Sequence, residues 1–364
     1  MQQWKAWIEG GGSFANGKPA ALHAWNPAEV ASGHIFLNDA PLLKLLEKLT
    51  STATGAVIGH VGYGGDYLFA WYPKTEWTNA DSWSEKDAFH AGPLLSSLDA
   101  AAFCERVETI RDFIRAGDIY QANLTRMLRG SFSGSSMALF TALKAVSPAP
   151  FSAYLETPEI AIVSSSPELF LRMDGRAVVT RPIKGTRPRF ADAEQDRISA
   201  QELVESEKEK AELIMITDLE RNDLGKVCEF GSIRVTELAG RHSFAQVHHL
   251  VSTVEGRLRD GVSHLDALRA CFPGGSITGA PKKRAMEIIA ELEPHRRGIY
   301  TGAIGYFGAW GESQFNIAIR TMSIGGGEVS FGVGGGITIE SDPAKEFEET
   351  EHKAAGMVAS LSMG

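Results

Sequence analysis

Lys184 stands in the segment Arg181-Pro-Ile-Lys-Gly-Thr-Arg-Pro-Arg189, between a β-branched residue and a glycine. At a buried strand-to-turn corner such a lysine loses solvation of its charged form, so its pKa falls and the neutral amine becomes a nucleophile. In a basic loop flanked by Arg181, Arg187 and Arg189 the same residue is an ordinary solvated lysine, and this segment alone favours that reading. Glu168 follows Ser166-Pro167 at a strand end, where a carboxylic acid can donate a proton or merely cap a turn. His249, in the apolar run 248–251, is a core histidine or a site base. Arg320 closes the run 316–319 with a fork suited to a carboxylate ligand or to an ordinary ion pair. Gln121 is polar within the strand-like run 118–129; its amide orients a small nucleophile but takes no proton.

Anions and metals have candidates too. Asp342 as N-cap and Pro343 as first helical residue anchor the register of a closing helix. That register gives Phe347, Ala354, Met357, Val358 and Leu361 the core stripe and gathers Glu346, Glu349 and Lys353 on the adjoining flank. A salt-bridged surface ladder has the same pattern. A further carboxylate makes it a hard-metal site, and Glu212, on the helical run 193–224, is the candidate, with Mg²⁺ the fitting ion. Spacing alone leaves that pairing open. The loop Cys271–Lys282, with Gly275 and Thr278, runs into a helix and suits a carboxylate or phosphate cradle, or is a plain glycine-rich turn. It lacks a P-loop ending, since Gly279 is followed by Ala280. Gly334-Gly335-Gly336 precedes the acidic helix and can line the same pocket.

Positioning these groups takes a large core. The 364 residues are 43% apolar, 22% charged and 9% aromatic, the composition of an ordinary globular protein. A net charge of −9 argues against nucleic acid or an anionic membrane as the main partner. No window approaches the ~18 apolar residues that span a bilayer, and the start MQQWKAWIEGGG lacks a basic flank before an apolar stretch. The expected location is the cytoplasm. Cys104, Cys228 and Cys271 lie far apart without CxxC spacing, which predicts reduced packing thiols.

Asp99 predicts a helix through Phe103, Val107, Ile110 and Ile114, stopped at Gly117. Further helices are predicted near 137–145, 193–224, 263–271, 281–292 and from Pro343. Strands are predicted at 56–72, 118–129, 151–156, 160–164, 169–173, 176–181, 231–236, 248–258, 301–307, 315–324 and 328–333. Asp174-Gly175 signals a hairpin with a type I′ turn. Strands in runs with irregularly interspersed helices mean an α+β fold. With no linker, repeat or low-complexity stretch, one structural domain is expected: a weakly patterned part, 1–95, and the chemistry-bearing region 96–364.

Taken together, Asp118–Leu124, Ser165-Ser-Pro-Glu168, Pro182-Ile-Lys-Gly-Thr186, Glu212 through Asp218–Asp223, His249–Ser252, Gly275–Lys282, Tyr300–Tyr306, Ile319–Thr321 and Gly334–Ile337 with Glu346–Thr350 and Lys353 resemble the chorismate-utilising enzymes in order and spacing. The resemblance spans roughly residues 100–360. It implies two large antiparallel sheets packed as a sandwich, helices outside and the active site in the cleft between them. Lysine in the Pro-Ile-Lys-Gly-Thr segment resembles the large subunits of aminodeoxychorismate synthases, where anthranilate synthases usually carry alanine. Isochorismate and salicylate synthases use a lysine as base for water where this chain has Gln121, so ammonia is the implied nucleophile.

The resemblance further implies Mg²⁺ on Glu212 and Glu349, with Glu346 helping through water. Arg320, Thr278 and the glycine loops would hold the remaining carboxylate of chorismate. Lys184 would attack C2 as the C4 hydroxyl leaves, protonated by Glu168, and ammonia would then attack C4 and expel the lysine. His249 would orient groups around the ring and Tyr300 would line the pocket. The product would be 4-amino-4-deoxychorismate, on the way to p-aminobenzoate and folate. No cysteine sits in a glycine-flanked nucleophile turn, so a separate glutamine amidotransferase subunit is the implied ammonia source. The part before residue 100 is shorter than in many relatives and shows no counterpart of a tryptophan-binding segment. Anthranilate synthesis is the alternative reading, and a catalytically silent chorismate-binding subunit a further one.

Overall fold

A computed structural model describes residues 4–10, 20–79, 87–244 and 246–364. Its strands form two sheets, one of eleven strands and one of ten. Along the first the order is Gly279–Ala280, Gln121–Gly134, Glu328–Ile337, Thr321–Gly325, Ala161–Ser166, Phe151–Glu156, Lys5–Glu9, Ala20–Trp25 and Glu76–Asn79, with Phe89–Ala91 and Leu95–Ser96 also on Gln121–Gly134. Along the second it is Ile183–Pro188, Val247–Arg257, Ala177–Arg181, Leu169–Asp174, Glu312–Ile317, Ala303–Gly308, Ala56–Val61, Asp66–Tyr72 and Glu29–His34, with Arg234–Ser243 also on Val247–Arg257. Pairing is antiparallel, as between Gln121–Gly134 and Glu328–Ile337 or Ala303–Gly308 and Ala56–Val61. The chain therefore has the α+β sandwich with outer helices that its sequence implies.

Period-two alternation shows why the sheets stack. In Lys5–Glu9, Ala6 and Ile8 enter a core shared with Ala56, Ile58, Ala70 and Tyr306 of the second sheet, whereas Trp7 points the other way. There Trp7 joins Phe140 and Leu143 of helix Ser136–Val146 and Met357 of helix Pro343–Leu361. Side chains on both faces are thus buried, one against the other sheet and one under helices. Strands from residues 5–96 contribute to both sheets.

The sheets are stitched together where two neighbouring strands leave one and enter the other. Ala161–Ser166 lies in the first sheet and Leu169–Asp174 in the second, with Pro167-Glu168 between them. Beside it, Glu312–Ile317 lies in the second sheet and Thr321–Gly325 in the first, with residues 318–320 between. The crossovers are bonded to each other: Ser165 N donates to Arg320 O at 3.0 Å and Ile317 N to Glu168 O at 3.1 Å. Arg320 has φ +49°, costly for a residue with a Cβ.

Several sequence expectations change here. The strand expected over 315–324 is two strands of different sheets, so Arg320 lies in a crossover rather than at a strand end. The helical run 193–224 is two helices, Ala193–Glu205 and Glu207–Gly225, because Ser206 is extended and its side chain caps the second by accepting from Glu209 N. At the hairpin, Asp174 pairs with Ala177, so Gly175 and Arg176 are the central residues; only Gly175 has positive φ (+55°), the sign pattern of a II′ turn and not of I′. The strand expected at 231–236 runs Arg234–Ser243. Gly334–Gly336 fall inside Glu328–Ile337, opposite Thr125, Leu124 and Asn123. Val358 is half-exposed and drops out of the core stripe. The Asp99 and Asp342 caps form as expected, accepting from Ala102 N and Lys345 N. All three cysteines are free thiols. Among the described residues, no helix is long and apolar enough to cross a membrane.

Candidate active site

Lys184 lies in Ile183–Pro188, a strand rather than a turn, and is half-buried. A register shift between Lys184 and Thr186, at Gly185 with φ +68°, locally breaks its pairing with Val247–Arg257. Across from it, Gln121 is fully buried, and neither its carbonyl oxygen nor its amide nitrogen has a hydrogen-bond partner. The two meet at Gly336: a Cβ there would stand 2.1 Å from Gln121 Nε2 and 3.3 Å from Lys184 Nζ. This strand position carries glycine because a side chain would occupy the space between amine and amide. A fully buried amide without partners is costly unless a ligand completes it.

One residue earlier, a Cβ on Gly335 would lie 3.1 Å from Glu346 Oε2, 3.8 Å from Glu349 Oε1 and 3.9 Å from Lys353 Nζ. Lys353 bonds Glu349 Oε1 at 2.7 Å and Gly334 O at 2.9 Å, tying the acidic helix to the glycine strand. Glu346 is more deeply buried than a flank position implies, and Ser341 donates to its Oε1 at 2.6 Å. Glu212, on Glu207–Gly225, joins the group through Lys208, whose Nζ is 3.9 Å from Glu212 Oε1 and 3.8 Å from Glu346 Oε1. Burial raises the Glu212 and Glu346 carboxyls, and each is raised further by a neighbouring acid, Glu209 and Glu346 for the first and Glu349 for the second. Desolvation pushes Glu349 the same way, but Lys353 together with Lys184 and Lys208 outweighs it and holds that carboxyl low. Among the described residues no three His, Cys, Asp or Glu side chains close into a ready-made cluster. The donor set, three carboxylates that repel one another around an ammonium, still has the chemistry a hard divalent cation takes.

Glu168 occupies the first crossover, 4% exposed, with Oε1 free of any partner. Burial pushes it up to about 7, against the pull of Ser276 and of Lys184. It is thus a buried acid still holding its proton near neutrality. Arg320, at the second crossover, is part-buried, and among the described residues no acid perturbs its guanidinium, which burial alone lowers. A part-buried guanidinium without an acid fits an incoming carboxylate. His249 is 2% exposed; its Nδ1 is 2.9 Å from Gly185 O and 3.1 Å from Thr186 Oγ1. A carbonyl only accepts, so Nδ1 carries the hydrogen and the unpartnered Nε2 offers a lone pair. Burial drives this imidazole down to about 4, so it is neutral at physiological pH.

Two expected ligand contacts are committed elsewhere or lie further out. Thr278 donates its hydroxyl to Gly274 O at 3.0 Å, shaping its own loop next to Gly275. Tyr300 packs its ring where a Cβ on Gly332 would be, beside Arg297 and Glu293. Sequence reading missed Lys208, Ser276 and Glu220. Ser276 is buried in the loop beside Glu168, whose carboxyl it pulls down. Glu220, 5% exposed, accepts from Thr180 Oγ1 at 2.5 Å and is raised to about 8 by burial and by the Glu168 charge. Lys208 has a sequence signal, its i,i+4 spacing to Glu212; Ser276 and Glu220 have none beyond lying in the motifs.

The family model of chorismate binding enzymes matches residues 72–359. Over 273 residues the chain is 45% identical to aminodeoxychorismate synthase component 1 of Bacillus subtilis (strain 168), covering 75% of this chain and 58% of that protein. Over 263 residues it is 49% identical to an anthranilate synthase component 1 of Haloarcula marismortui, covering 72% and 54%. The matches span little more than half the length of these curated relatives. The crystal structure of anthranilate synthase component I from Streptococcus pneumoniae TIGR4 superposes with TM-score 0.81 at 27% identity, over 93% of this chain and 92% of that one.

Proposed function

This chain belongs to the family of chorismate binding enzymes, and from that premise we propose that it aminates chorismate at C4, a transferase reaction giving 4-amino-4-deoxychorismate. The observation that carries the reading is the meeting of the Lys184 amine and the unpartnered Gln121 amide over Gly336. A lysine supplies a covalent route, and an amide that cannot deprotonate water suits ammonia, which arrives already nucleophilic.

Arg320 takes a substrate carboxylate through its fork, and the glycine strand keeps room for the ring. The Lys184 amine nitrogen bonds to C2 through its lone pair while both ring double bonds shift by one position and the C4 hydroxyl departs. Glu168 gives that hydroxyl its proton, so water leaves and the carboxylate remains. Ammonia, held by the Gln121 carbonyl oxygen, bonds to C4, both double bonds shift back and the C2–nitrogen bond breaks to release the lysine. His249 Nε2 accepts a hydrogen bond from the ring substituents or the incoming amine. Glu212, Glu346 and Glu349 would hold Mg²⁺, which supplies Lewis acidity and a template for the ring carboxylate. The relatives are named as component 1, which supports a second component; we take it to be a glutaminase that supplies the ammonia in the cytoplasm.

Anthranilate synthesis is the second reading, favoured by the 49% identity to an anthranilate synthase component. Incubation with chorismate, Mg²⁺ and ammonium, with and without an added aminodeoxychorismate lyase, separates them. p-Aminobenzoate appearing only with the lyase is the expected result. Fluorescent anthranilate without it supports the second reading, and no turnover with chorismate still bound supports a silent binding subunit.

A further inference from the structure

Lys208 belongs to neither the nucleophile nor the metal-holding set, yet its ammonium stands between two of the acids that would hold the cation. Glu212 comes from its own helix, Glu207–Gly225, and Glu346 from Pro343–Leu361, so this one side chain bridges two helices that otherwise face each other with like charges. Both distances, 3.9 and 3.8 Å, exceed hydrogen-bond length. The Lys208 side chain is 46% exposed, while those of Glu212 and Glu346 are 14% and 5% exposed. A flexible, half-solvated ammonium is therefore set loosely over two acids that are much more buried than it is. Lys353 is engaged differently, bonded to Glu349 at 2.7 Å and to a strand carbonyl.

We propose that Lys208 is a resident counter-ion of the metal-holding acids, exchanged for the divalent cation when it binds. The idea rests on reading Glu212, Glu346 and Glu349 as the metal holders. Without the cation, the lysine offsets repulsion between the two helices. A divalent ion brings twice the charge and direct oxygen coordination, and the ammonium returns to water at small cost because it is already half there. No other displaced group is needed, since Lys353 keeps its bonds to Glu349 and Gly334.

The exchange has a binding readout independent of turnover. Mn²⁺ binding, followed by the electron paramagnetic resonance signal of the free ion, is compared for the native chain, Lys208→Met, Lys208→Arg and Glu212→Gln. The expected result is that Lys208→Met binds Mn²⁺ about 3- to 30-fold more tightly, the equivalent of losing up to two exposed ion pairs. Lys208→Arg stays near native and Glu212→Gln binds weakly. In chelator, Lys208→Met should also melt below the native chain and recover on adding Mg²⁺; Lys208→Gln serves if the methionine variant does not fold. Equal affinities in the native and Lys208→Met chains, or weaker binding by Lys208→Met, overturn the proposal while leaving the metal reading intact. If the native chain binds no Mn²⁺, the metal reading fails and the exchange with it.

Discussion

At the scale of single residues, burial holds two acids of the site in an ionisation state that water would not allow. Glu168 and Glu220 are both nearly inaccessible and hold their protons to about 7 and about 8. Lys282, the ammonium beside Glu220, is already bonded to Asp223 at 2.5 Å and to the carbonyls of Cys271 and Pro273. The folded chain therefore keeps protons that the unfolded chain gives up near the ordinary carboxyl value of 4.5. Stability from these two acids is fully present below that value and is lost as pH rises through 7 and 8. His249, lowered to about 4, works in the opposite direction, adding stability as pH rises, but only up to its unfolded value near 6.5. Above that point the carboxyls dominate the comparison. Denaturant unfolding at pH 8 should find Glu168→Gln and Glu220→Gln each more stable than the native chain by about 1–3 kcal/mol, with the gain shrinking toward pH 5. Glu168→Gln should lose nearly all amination at both pH values.

At the scale of elements, what the sequence makes legible is local and what it hides is tertiary. The caps at Asp99 and Asp342 could be read because a side-chain acceptor before an apolar-periodic run has a local cause. The glycine triplet could not be read as a strand, since glycine has no intrinsic preference for one; it is extended because it pairs with Asn123–Thr125, and Gln121, Lys184, Glu346 and Lys353 crowd the positions that Cβ atoms on Gly335 and Gly336 would take. The same crowding makes a direct test. Gly336→Ala inserts a methyl where Gln121 Nε2 stands at 2.1 Å, and should cut kcat by at least about 100-fold while costing stability of only about 1–3 kcal/mol. Steady-state kinetics and denaturant unfolding on one preparation check both. The crossovers were likewise hidden: Glu168 and Arg320 are distant in sequence, and only paired strands leaving one sheet for the other bring their two backbone crossovers into hydrogen-bonded contact. Glu346 looked like an edge residue until Ser341 and Lys208 covered it.

At the scale of the molecule, the acids, the amine and the guanidinium come from both sheets and from helices Glu207–Gly225 and Pro343–Leu361. Residues 5–96, nearly silent on chemistry in the sequence, complete both sheets and so support the frame on which the crossovers rest. The net charge of −9 leaves the local cations Arg320 and Lys353 as the attraction for a dicarboxylate.

The central claim is that Lys184 becomes covalently attached to the ring, and mass spectrometry of the protein incubated with chorismate and Mg²⁺ but without ammonia tests it. The account predicts that the peptide bearing Lys184 gains the mass of chorismate less one water, that ammonium discharges it, and that Lys184→Ala neither gains the mass nor aminates while still binding chorismate. An unmodified Lys184 together with undiminished amination by Lys184→Ala would contradict it.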